Sequence, residues 1–441
     1  MITMKRRTFL KTTGAAGLIG STVPNLLLGS AKDSPNEKLN IGIIGSGGRG
    51  SANLRGVSSE NIVALCDVNA QTLEKVHKKY PKAKTYTDWR KMIDDKSIDA
   101  VTVSTADHCH ALASVAAMRA GKHVYCEKPL AHSVYEARVM RETYAKAKVA
   151  TQMGTQIHAT DNYRRVVELV QGGAIGPVRE AHVWCSRSIK PIGAPELERV
   201  SPPDWFHWDE WLGPAPDRYH NQGYWKGGNL NWNRRWDFGN GVLGDMGSHL
   251  IDLPWWALEL HTPLTCEAHG PKADPVACPP WMKVTWEHAA RKGKTALEVP
   301  VKVTWYHGGR SKRDRPEIDT GMDLGKWFNG ILFVGDKGML LADYGKRVLL
   351  PKDKFAGFKA PKPWIAKSRG HHREWIHGAK TGAPTLCNFE YSGSLIEHNL
   401  LGSVAYRVGK KLQWDAKNLK ATNAPEASKY IKRKYRKGWA I

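Results

Sequence analysis

The sequence lacks the residue patterns that mark several common kinds of site. No two of its seven cysteines have C-x-x-C spacing, which argues against a zinc ribbon or a thioredoxin-like redox motif. It also contains no nucleophile elbow, and the potential metal ligands clustered at 371–377 do not follow the H-E-x-x-H order. We therefore expect neither a metal site nor nucleophilic hydrolase chemistry, and we interpret residues 371–377 as the polar start of a helix.

Acidic residues are few in this chain. Its 441 residues include 42 Asp and Glu against 66 Lys and Arg, which gives a formal net charge of +24. Such an excess can indicate an anionic partner, but here it is spread along the chain and only the run 429–437 is dense. No nucleic-acid-binding motif accompanies it, so we expect no nucleic-acid partner. We interpret residues 416–441 as a solvated basic tail, with attraction to an anionic polysaccharide or membrane surface as the alternative.

Long apolar runs are also missing: beyond the N-terminus no segment has 18 uninterrupted apolar residues, so we expect no integral membrane segment in the mature chain. Residues 5–11 read Lys-Arg-Arg-Thr-Phe-Leu-Lys and precede an apolar stretch that ends in small residues at 29–31. This pattern predicts a twin-arginine signal peptide over residues 1–31, and hence a periplasmic protein. A retained anchor is the alternative, but the stretch is shorter than the ~20 residues that span a bilayer.

A glycine-rich turn follows a short apolar run at 39–44 and precedes a helix-compatible stretch at 51–57. The turn has the form G-x-G-x-x-G and supplies the candidate cofactor residues Gly45, Ser46, Gly47, Arg49 and Gly50. The first glycine permits a tight turn, the second lets a pyrophosphate approach, and the third lets helix and strand pack closely. The helix N-terminus then faces the phosphates. The pattern predicts a dinucleotide-binding site.

The nature of the dinucleotide depends on the residue that ends the second apolar run. Residues 62–66 lead into Asp67, which lies 22 residues after Gly45. An acidic residue at this place binds the ribose hydroxyls of NAD. NADP remains the alternative, because Arg49 is near enough in sequence to reach a 2′-phosphate.

The alternation of strands and helices continues along the N-terminal third. Residues 99–104 and 123–126 are predicted strands, residues 108–120 a helix, and Ser133 to Glu136 a capping box that opens another helix. Strands that alternate with helices predict a parallel doubly wound sheet, so we expect an α/β Rossmann domain over residues 37–154.

Three segments carry a more specific resemblance. Residues 121–130 read Gly-Lys-His-Val-Tyr-Cys-Glu-Lys-Pro-Leu, residues 104–110 form a loop with Ala106 where proline is usual, and residues 244–252 contain D-x-x-x-H. Together they resemble the Gfo/Idh/MocA oxidoreductases over roughly residues 37–415. The resemblance implies a second, α+β domain at 155–415 with a large, mostly antiparallel open sheet. Substrate would lie between that sheet and the nicotinamide, and homo-oligomers through the open face are common in this family.

The same resemblance assigns roles to individual residues. His249 would be the catalytic base with Asp245 assisting, and Lys128 would contact the substrate oxygen. Ser104, Thr105, His110 and Glu127, together with Lys128, would contact the cofactor. Asp245, His249 and Asp252 also share one face of a helix by their spacing, with Pro254 ending or kinking it. The alternative is a His–Asp pair with a structural role only.

The segment 205–236 is rich in aromatic residues. It contains six tryptophans interleaved with polar side chains, a composition that suits either the faces of sugar rings or a core or subunit contact. We name Arg235, Trp236 and Asp252 as candidate substrate-binding residues.

The expected function is NAD(P)-dependent hydride transfer at a carbinol carbon of a sugar, glycoside or polyol. Free nicotinamide is not easily recycled outside the cytoplasm, so we expect the cofactor to be tightly bound. The first alternative is an NAD-dependent glycosidase that uses transient oxidation, elimination and re-reduction. The second, non-enzymatic alternative is a sugar-binding protein that retains nucleotide without turnover.

Overall fold

The computed structural model describes residues 38–190, 200–291, 299–309 and 314–441. The expected signal peptide at 1–31 lies outside these ranges. Within them, no helix combines the length and the apolar character needed to cross a bilayer.

The N-terminal domain is built on a six-stranded parallel sheet with the order β3-β2-β1-β4-β5-β6. The strands are β1 (Asn40–Ile44), β2 (Asn61–Cys66), β3 (Lys84–Tyr86), β4 (Ala100–Val103), β5 (His123–Cys126) and β6 (Thr151–Met153). The helices are α1 (Gly48–Gly56), α2 (Ala70–His77), α3 (Trp89–Ile93), α4 (Asp107–Arg119) and α5 (Val134–Ala147). The predicted Rossmann architecture is confirmed. The predicted capping box is also present, because Ser133 Oγ accepts a hydrogen bond from the Glu136 amide.

The second domain is built on a nine-stranded sheet with the order β13-β12-β11-β7-β10-β9-β8-β14-β15. Its strands are β7 (Val178–Cys185), β8 (Thr265–His269), β9 (Met282–His288), β10 (Val301–His307), β11 (Asn329–Gly335), β12 (Gly338–Ala342), β13 (Arg347–Leu350), β14 (Leu412–Asp415) and β15 (Lys420–Ala421). Only β7 and β10 pair in parallel among the described strands of this sheet. The expected large, mostly antiparallel sheet is therefore confirmed.

Nine α-helices are described after β6; some of them pack on this sheet and others reach the first domain. They are α6 (Asp161–Gln171), α7 (Trp208–Leu212), α8 (Gln222–Trp225), α9 (Asn229–Trp232), α10 (Gly241–Leu250), α11 (Asp252–Ala257), α12 (His371–Thr381), α13 (Phe389–Val408) and α14 (Ser428–Ile431). Trp375 of α12 joins the core around β1 and β5, and α13 packs along α5. The two domains therefore share packing surfaces.

The C-terminal residues 416–441 are not the solvated tail that the charge run predicts. They form β15 and α14, and Ile431 and Trp439 are buried in the main core. Arg433 and Tyr435 both donate hydrogen bonds to the carboxylate of Glu136, which is fully buried on α5. A buried carboxylate needs such partners. The sequence does not reveal this packing, because the apolar and aromatic residues at 431, 435 and 439 are separated by basic residues and form no apolar run.

The helix that carries the candidate base ends earlier than the sequence spacing implies. α10 stops at Leu250, and α11 starts at Asp252 with Pro254 in its first turn. Proline is tolerated in a first turn because its missing N–H has no intrahelical partner there. Asp245 and His249 therefore share a helix, whereas Asp252 begins a new one.

Candidate active site

The glycine turn between β1 and α1 admits no larger side chain at two of its positions. A Cβ on Gly50 would lie 1.9 Å from the carbonyl oxygen of Gly45, and Gly45 itself has a φ of +79°. Asp67, at the end of β2, lies against this turn: its Oδ2 accepts hydrogen bonds from the amides of Ser46 at 2.8 Å and Gly47 at 3.2 Å. The turn and this carboxylate are therefore joined where β1 and β2 end.

A main cavity of about 720 Å³ begins at this turn and ends beside Lys128 and Asp245. Its lining includes most of the predicted cofactor residues: Gly45, Gly47, Arg49, Asp67, Ser104, Thr105, His110, Glu127 and Lys128. The volume lies within the range of small-molecule and cofactor sites. Glycines where a Cβ would collide, together with an acidic residue at the ribose position, fit a bound dinucleotide.

The buried carboxylate of Glu127 connects the glycine helix to the second domain. Its Oε1 accepts hydrogen bonds from Arg49 Nε at 2.9 Å, Asn53 Nδ2 at 3.0 Å and Gln156 Nε2 at 3.2 Å. Arg49, considered above as a ligand for a 2′-phosphate, is thus paired with Glu127. Asn53 also donates to Ser104 Oγ at 2.9 Å, so the predicted cofactor loops are joined to each other.

His110 holds two of these loops together rather than facing the cavity with a free ring. One ring nitrogen lies 2.7 Å from the carbonyl oxygen of Pro129, and the other lies 3.0 Å from that of Thr105. Burial lowers the pKa of His110. Its contribution is therefore to position the backbone next to Lys128.

Asp245 on α10 lies between two cations. Its Oδ1 pairs with Lys128 Nζ and its Oδ2 pairs with Arg187 Nη1. Burial opposes the charge of this carboxylate, but Lys128 and Arg187 together hold its pKa below the usual value. Arg187 was not predicted from the sequence; the available signal was a basic residue two positions after the end of β7.

His249 lies one helical turn after Asp245 and is partly buried. Its Nδ1 is 3.2 Å from Thr155 Oγ1, and that hydroxyl donates to the carbonyl oxygen of Ser248. Burial lowers the pKa of His249 to about 3, and the charge of Lys128 acts in the same direction. The ring is neutral at pH 7 and can accept a proton. Asp245, whose oxygens are engaged by two cations, influences His249 through its charge.

Three residues that the sequence suggested for substrate binding lie elsewhere. Asp252 is fully buried against His158, at 2.9 Å from Nδ1, and against the hydroxyl of Tyr391, at 2.7 Å. Arg235 donates to the carbonyl oxygen of Gly223, and Trp236 donates to that of Asp274. None of these three side chains is among the described residues that line the main cavity. Their prediction as substrate ligands is corrected, because each of them is buried and makes contacts inside the protein away from that lining.

The aromatic segment 205–236 contributes rings both to an apolar cluster and to the lining of the main cavity. Its backbone is joined to the chain after β2, because the amide of Ala70 donates to the carbonyl oxygen of Trp205 and that of His207 to Val68. Part of it forms an apolar cluster around Leu212, Ala215, Tyr224 and Phe238. Four of its rings line the main cavity: Phe206, Trp211, Trp225 and Trp232.

Curated relatives of known activity match the N-terminal part of the chain. Inositol 2-dehydrogenase of Salmonella typhimurium is 33% identical over 150 residues, which are 33% of this chain and 45% of the relative. Myo-inositol 2-dehydrogenase of Thermotoga maritima is 32% identical over 167 residues, covering 37% of this chain and 49% of the relative. The matches thus span about half the length of these relatives.

Solved structures extend the likeness to the whole fold. A levoglucosan dehydrogenase in complex with NADH and levoglucosan has a TM-score of 0.57 at 16% identity, covering 85% of this chain and 99% of that one. The WlbA dehydrogenase of Bordetella pertussis, in complex with NADH and UDP-GlcNAcA, has a TM-score of 0.60 at 15% identity, covering 86% and 98%.

Family models match both domains in order. One, described as the NAD-binding Rossmann fold of an oxidoreductase family, covers residues 39–155, and the other, described as its C-terminal alpha/beta domain, covers residues 180–295. The two models together match more than half of the chain and agree with the parallel and antiparallel sheets. The chain therefore belongs to the Gfo/Idh/MocA family of oxidoreductases and has its NAD-binding Rossmann domain.

Proposed function

We propose that this protein is an NAD-dependent oxidoreductase that acts on a carbinol carbon of a sugar, glycoside or polyol and keeps its dinucleotide bound between turnovers. The observation that carries the proposal is the placement of Lys128 and Asp245 in the lining of the cavity that begins at the glycine turn, with His249 one helical turn after Asp245 on the same helix. Dehydrogenases of inositol and levoglucosan among the relatives support the substrate class.

The side chains divide the chemistry of alcohol oxidation between them. NAD, when bound, supplies the acceptor for the hydride. Lys128 donates a hydrogen bond to the substrate oxygen and stabilises negative charge as it develops there. The neutral ring of His249 takes the hydroxyl proton. The carboxylate of Asp245, which is itself paired with Arg187, holds the ammonium group of Lys128 in place.

The preference for NAD over NADP follows from charge at the glycine turn. The carboxylate of Asp67 is fixed on the turn by the amides of Ser46 and Gly47, and it suits the ribose hydroxyls while repelling a 2′-phosphate. Arg49, the nearest basic residue on α1, is paired with Glu127. A 2′-phosphate would therefore meet an anion and an already engaged cation.

Retention of the dinucleotide is favoured by the aromatic segment. Trp211, Trp225 and Trp232 line the same cavity as the glycine turn, and the segment is hydrogen-bonded to the loop after β2. We expect contacts between these rings and the bound dinucleotide to slow its release. A retained cofactor suits the export that we propose from the N-terminal leader, because a redox-neutral cycle needs no external nicotinamide.

The decisive experiment is to measure the nicotinamide content of the protein purified without added cofactor. Denaturation and mass spectrometry should release about one NAD or NADH per chain. A panel of myo-inositol, levoglucosan and aryl glucosides is then screened for a change in the absorbance of the bound nicotinamide. His249→Gln is the matched control, which should retain the nucleotide and lose the absorbance change.

Two results would contradict the proposal. Absence of nucleotide together with no uptake of either dinucleotide would remove the oxidoreductase assignment. Steady release of the phenol from an aryl glucoside, with no second product oxidised, would replace it by the NAD-dependent glycosidase reaction.

A further inference from the structure

A second cavity of about 270 Å³ lies between α13, α14 and the segment 236–240. It shares no lining residue with the main cavity. Four basic side chains line it: Arg407 from α13, Lys429 from α14, and Arg433 and Lys434 after α14. The dense basic run of the C-terminus, which the proposed function does not use, thus forms one wall of a defined cavity.

Arg407 is held in this cavity by aromatic rings instead of by an acid. Its guanidinium carbon lies 4.9 Å from the ring centre of Trp236 and 4.1 Å from that of Tyr430. No ion pair in the described part of the chain involves Arg407, Lys429 or Lys434. Burial lowers the pKa of Arg407, as expected for a cation that has lost water without gaining a carboxylate.

Two further polar groups are available in the same place. Arg433 donates from Nε to Glu136 and from Nη2 to the carbonyl oxygen of His108, and its Nη1 is buried without a hydrogen-bond partner. Ser403 is 4% exposed, and its hydroxyl also has no partner. Buried polar groups without partners are uncommon and indicate a missing ligand or water.

The acidic residue that lines the cavity does not neutralise these groups. Asp237 is paired with Arg218, at 2.8 Å between Arg218 Nη2 and the carboxylate. The cavity therefore keeps an excess of positive charge together with hydrogen-bond donors. An oxyanion can accept several charge-assisted hydrogen bonds at once, and arginine suits carboxylate, sulfate and phosphate groups in particular.

We propose that the second cavity binds the oxyanion group of a small molecule through Arg407, Arg433, Lys429, Lys434 and Ser403. The volume admits a ligand of about the size of a monosaccharide, near the lower end of small-molecule sites. The shared chemistry is a carboxylate, sulfate or phosphate group. Its source is either a free inorganic ion or the charged substituent of an acidic sugar.

Binding is tested on the full-length protein at fixed ionic strength. Equilibrium dialysis measures radiolabelled sulfate and phosphate, and calorimetry measures glucuronate, with glucose as the uncharged control. We expect about one site per chain and no heat from glucose. Arg407→Gln should weaken binding about tenfold or more, because it removes a charge-assisted contact. Lys75→Gln is the matched control, since Lys75 is exposed on α2 and should have no effect.

Variants that leave the core intact keep the test decisive if Arg407→Gln folds poorly. Lys429 and Lys434 are exposed, so the double change Lys429→Gln with Lys434→Gln should preserve the fold and weaken binding. Ser403→Ala removes only a hydroxyl and should also weaken anion binding. Tighter binding of glucuronate than of sulfate and phosphate assigns the site to an acidic sugar, and the reverse assigns it to a free ion. The proposal is overturned if none of the three anions binds, or if these variants bind as the wild type does.

Discussion

The carboxylate of Asp245 is paired with two cations. Its burial alone would disfavour the charged form. Lys128, Arg187 and Asp245 together carry a formal charge of +1, so one positive charge remains, which in the proposed reaction acts on the substrate oxygen. His249, one turn later, stays neutral because burial and Lys128 both lower its pKa. A cation beside the oxygen and a neutral base beside the proton are what oxidation of an alcohol requires.

Replacing Lys128 by Met should therefore reduce turnover without emptying the cofactor site. We expect kcat on the substrate found in the panel to fall by about 10²–10³-fold, the usual effect of removing a group that stabilises an oxyanion. Arg187 still neutralises Asp245, so the fold should remain. The measurement is single-turnover reduction of the bound nicotinamide, with Lys75→Met as control. A loss smaller than threefold would show that Lys128 does not contact the reacting oxygen.

Gly50 belongs to the glycine turn at the cofactor end of the same cavity. In Gly50→Ala the new Cβ would lie 1.9 Å from the carbonyl oxygen of Gly45, so the turn must open. We expect the nucleotide content of the purified protein to fall below about a tenth of the wild-type value, because the turn no longer fits the pyrophosphate. Gly345→Ala is the control, since a Cβ there meets nothing within 4 Å. Full nucleotide content in Gly50→Ala, with an unchanged circular dichroism spectrum, would contradict this.

Among the helices and strands, the sequence predicts those that depend mainly on residues close to them in the chain. β5 has the predicted bounds, β1 and β2 differ by one residue at one end, and β4 differs by one residue at each end, because buried parallel strands appear as short apolar runs between turns. The C-terminal segment and Arg187 could not be predicted in this way. Their partners, Glu136 and Asp245, are far away in sequence, and only the folded chain shows which buried acid needs a cation.

Asp252 is the opposite case, because the sequence places it in the active site and the structure does not. Spacing alone places it on the face of Asp245, but the helix ends at Leu250 and Asp252 turns inward to His158 and Tyr391. Periodicity predicts a shared face only as long as the helix continues. The carboxylate is a structural partner of His158 and Tyr391 at the start of α11.

Asp252→Ala should consequently destabilise the protein and spare the site. Removing one partner of a buried pair costs about 3–5 kcal/mol, so we expect a loss of this size in the free energy of unfolding measured by urea denaturation. Nucleotide content and turnover per folded molecule should stay within about twofold of the wild type. Asp353→Ala, an exposed change, provides the control. If Asp252→Ala left stability intact but abolished turnover, Asp252 would belong to the active site after all.

For the whole molecule, buried neutral histidines are spread over both domains. Burial lowers the pKa of His108, His288 and His371 to about 3 and that of His307 to about 4. An unfolded chain protonates these rings near the ordinary value of about 6.5. Below that pH the unfolded state binds more protons than the folded state, so acid favours unfolding.

Stability should therefore be complete above about pH 6.5 and should fall as the pH is lowered towards the folded values of 3 to 4. Each such histidine contributes at most about 1.4 kcal/mol per pH unit. Urea denaturation followed by tryptophan fluorescence between pH 7.5 and 4.5 measures the slope.

Two histidines on neighbouring strands make this attribution testable. His288 on β9 is buried. The substitution His288→Phe removes one titrating group, so the free energy of unfolding of this variant should depend less steeply on pH than that of the wild type. His269 on β8 has a side chain that is 62% exposed, so His269→Gln should leave the slope unchanged. Equal free energies of unfolding at pH 7.5 and pH 5 in the wild type would show that these rings are protonated in the folded protein without cost. If the free energy of unfolding depends less steeply on pH in His269→Gln but not in His288→Phe, the titrating group lies on the surface.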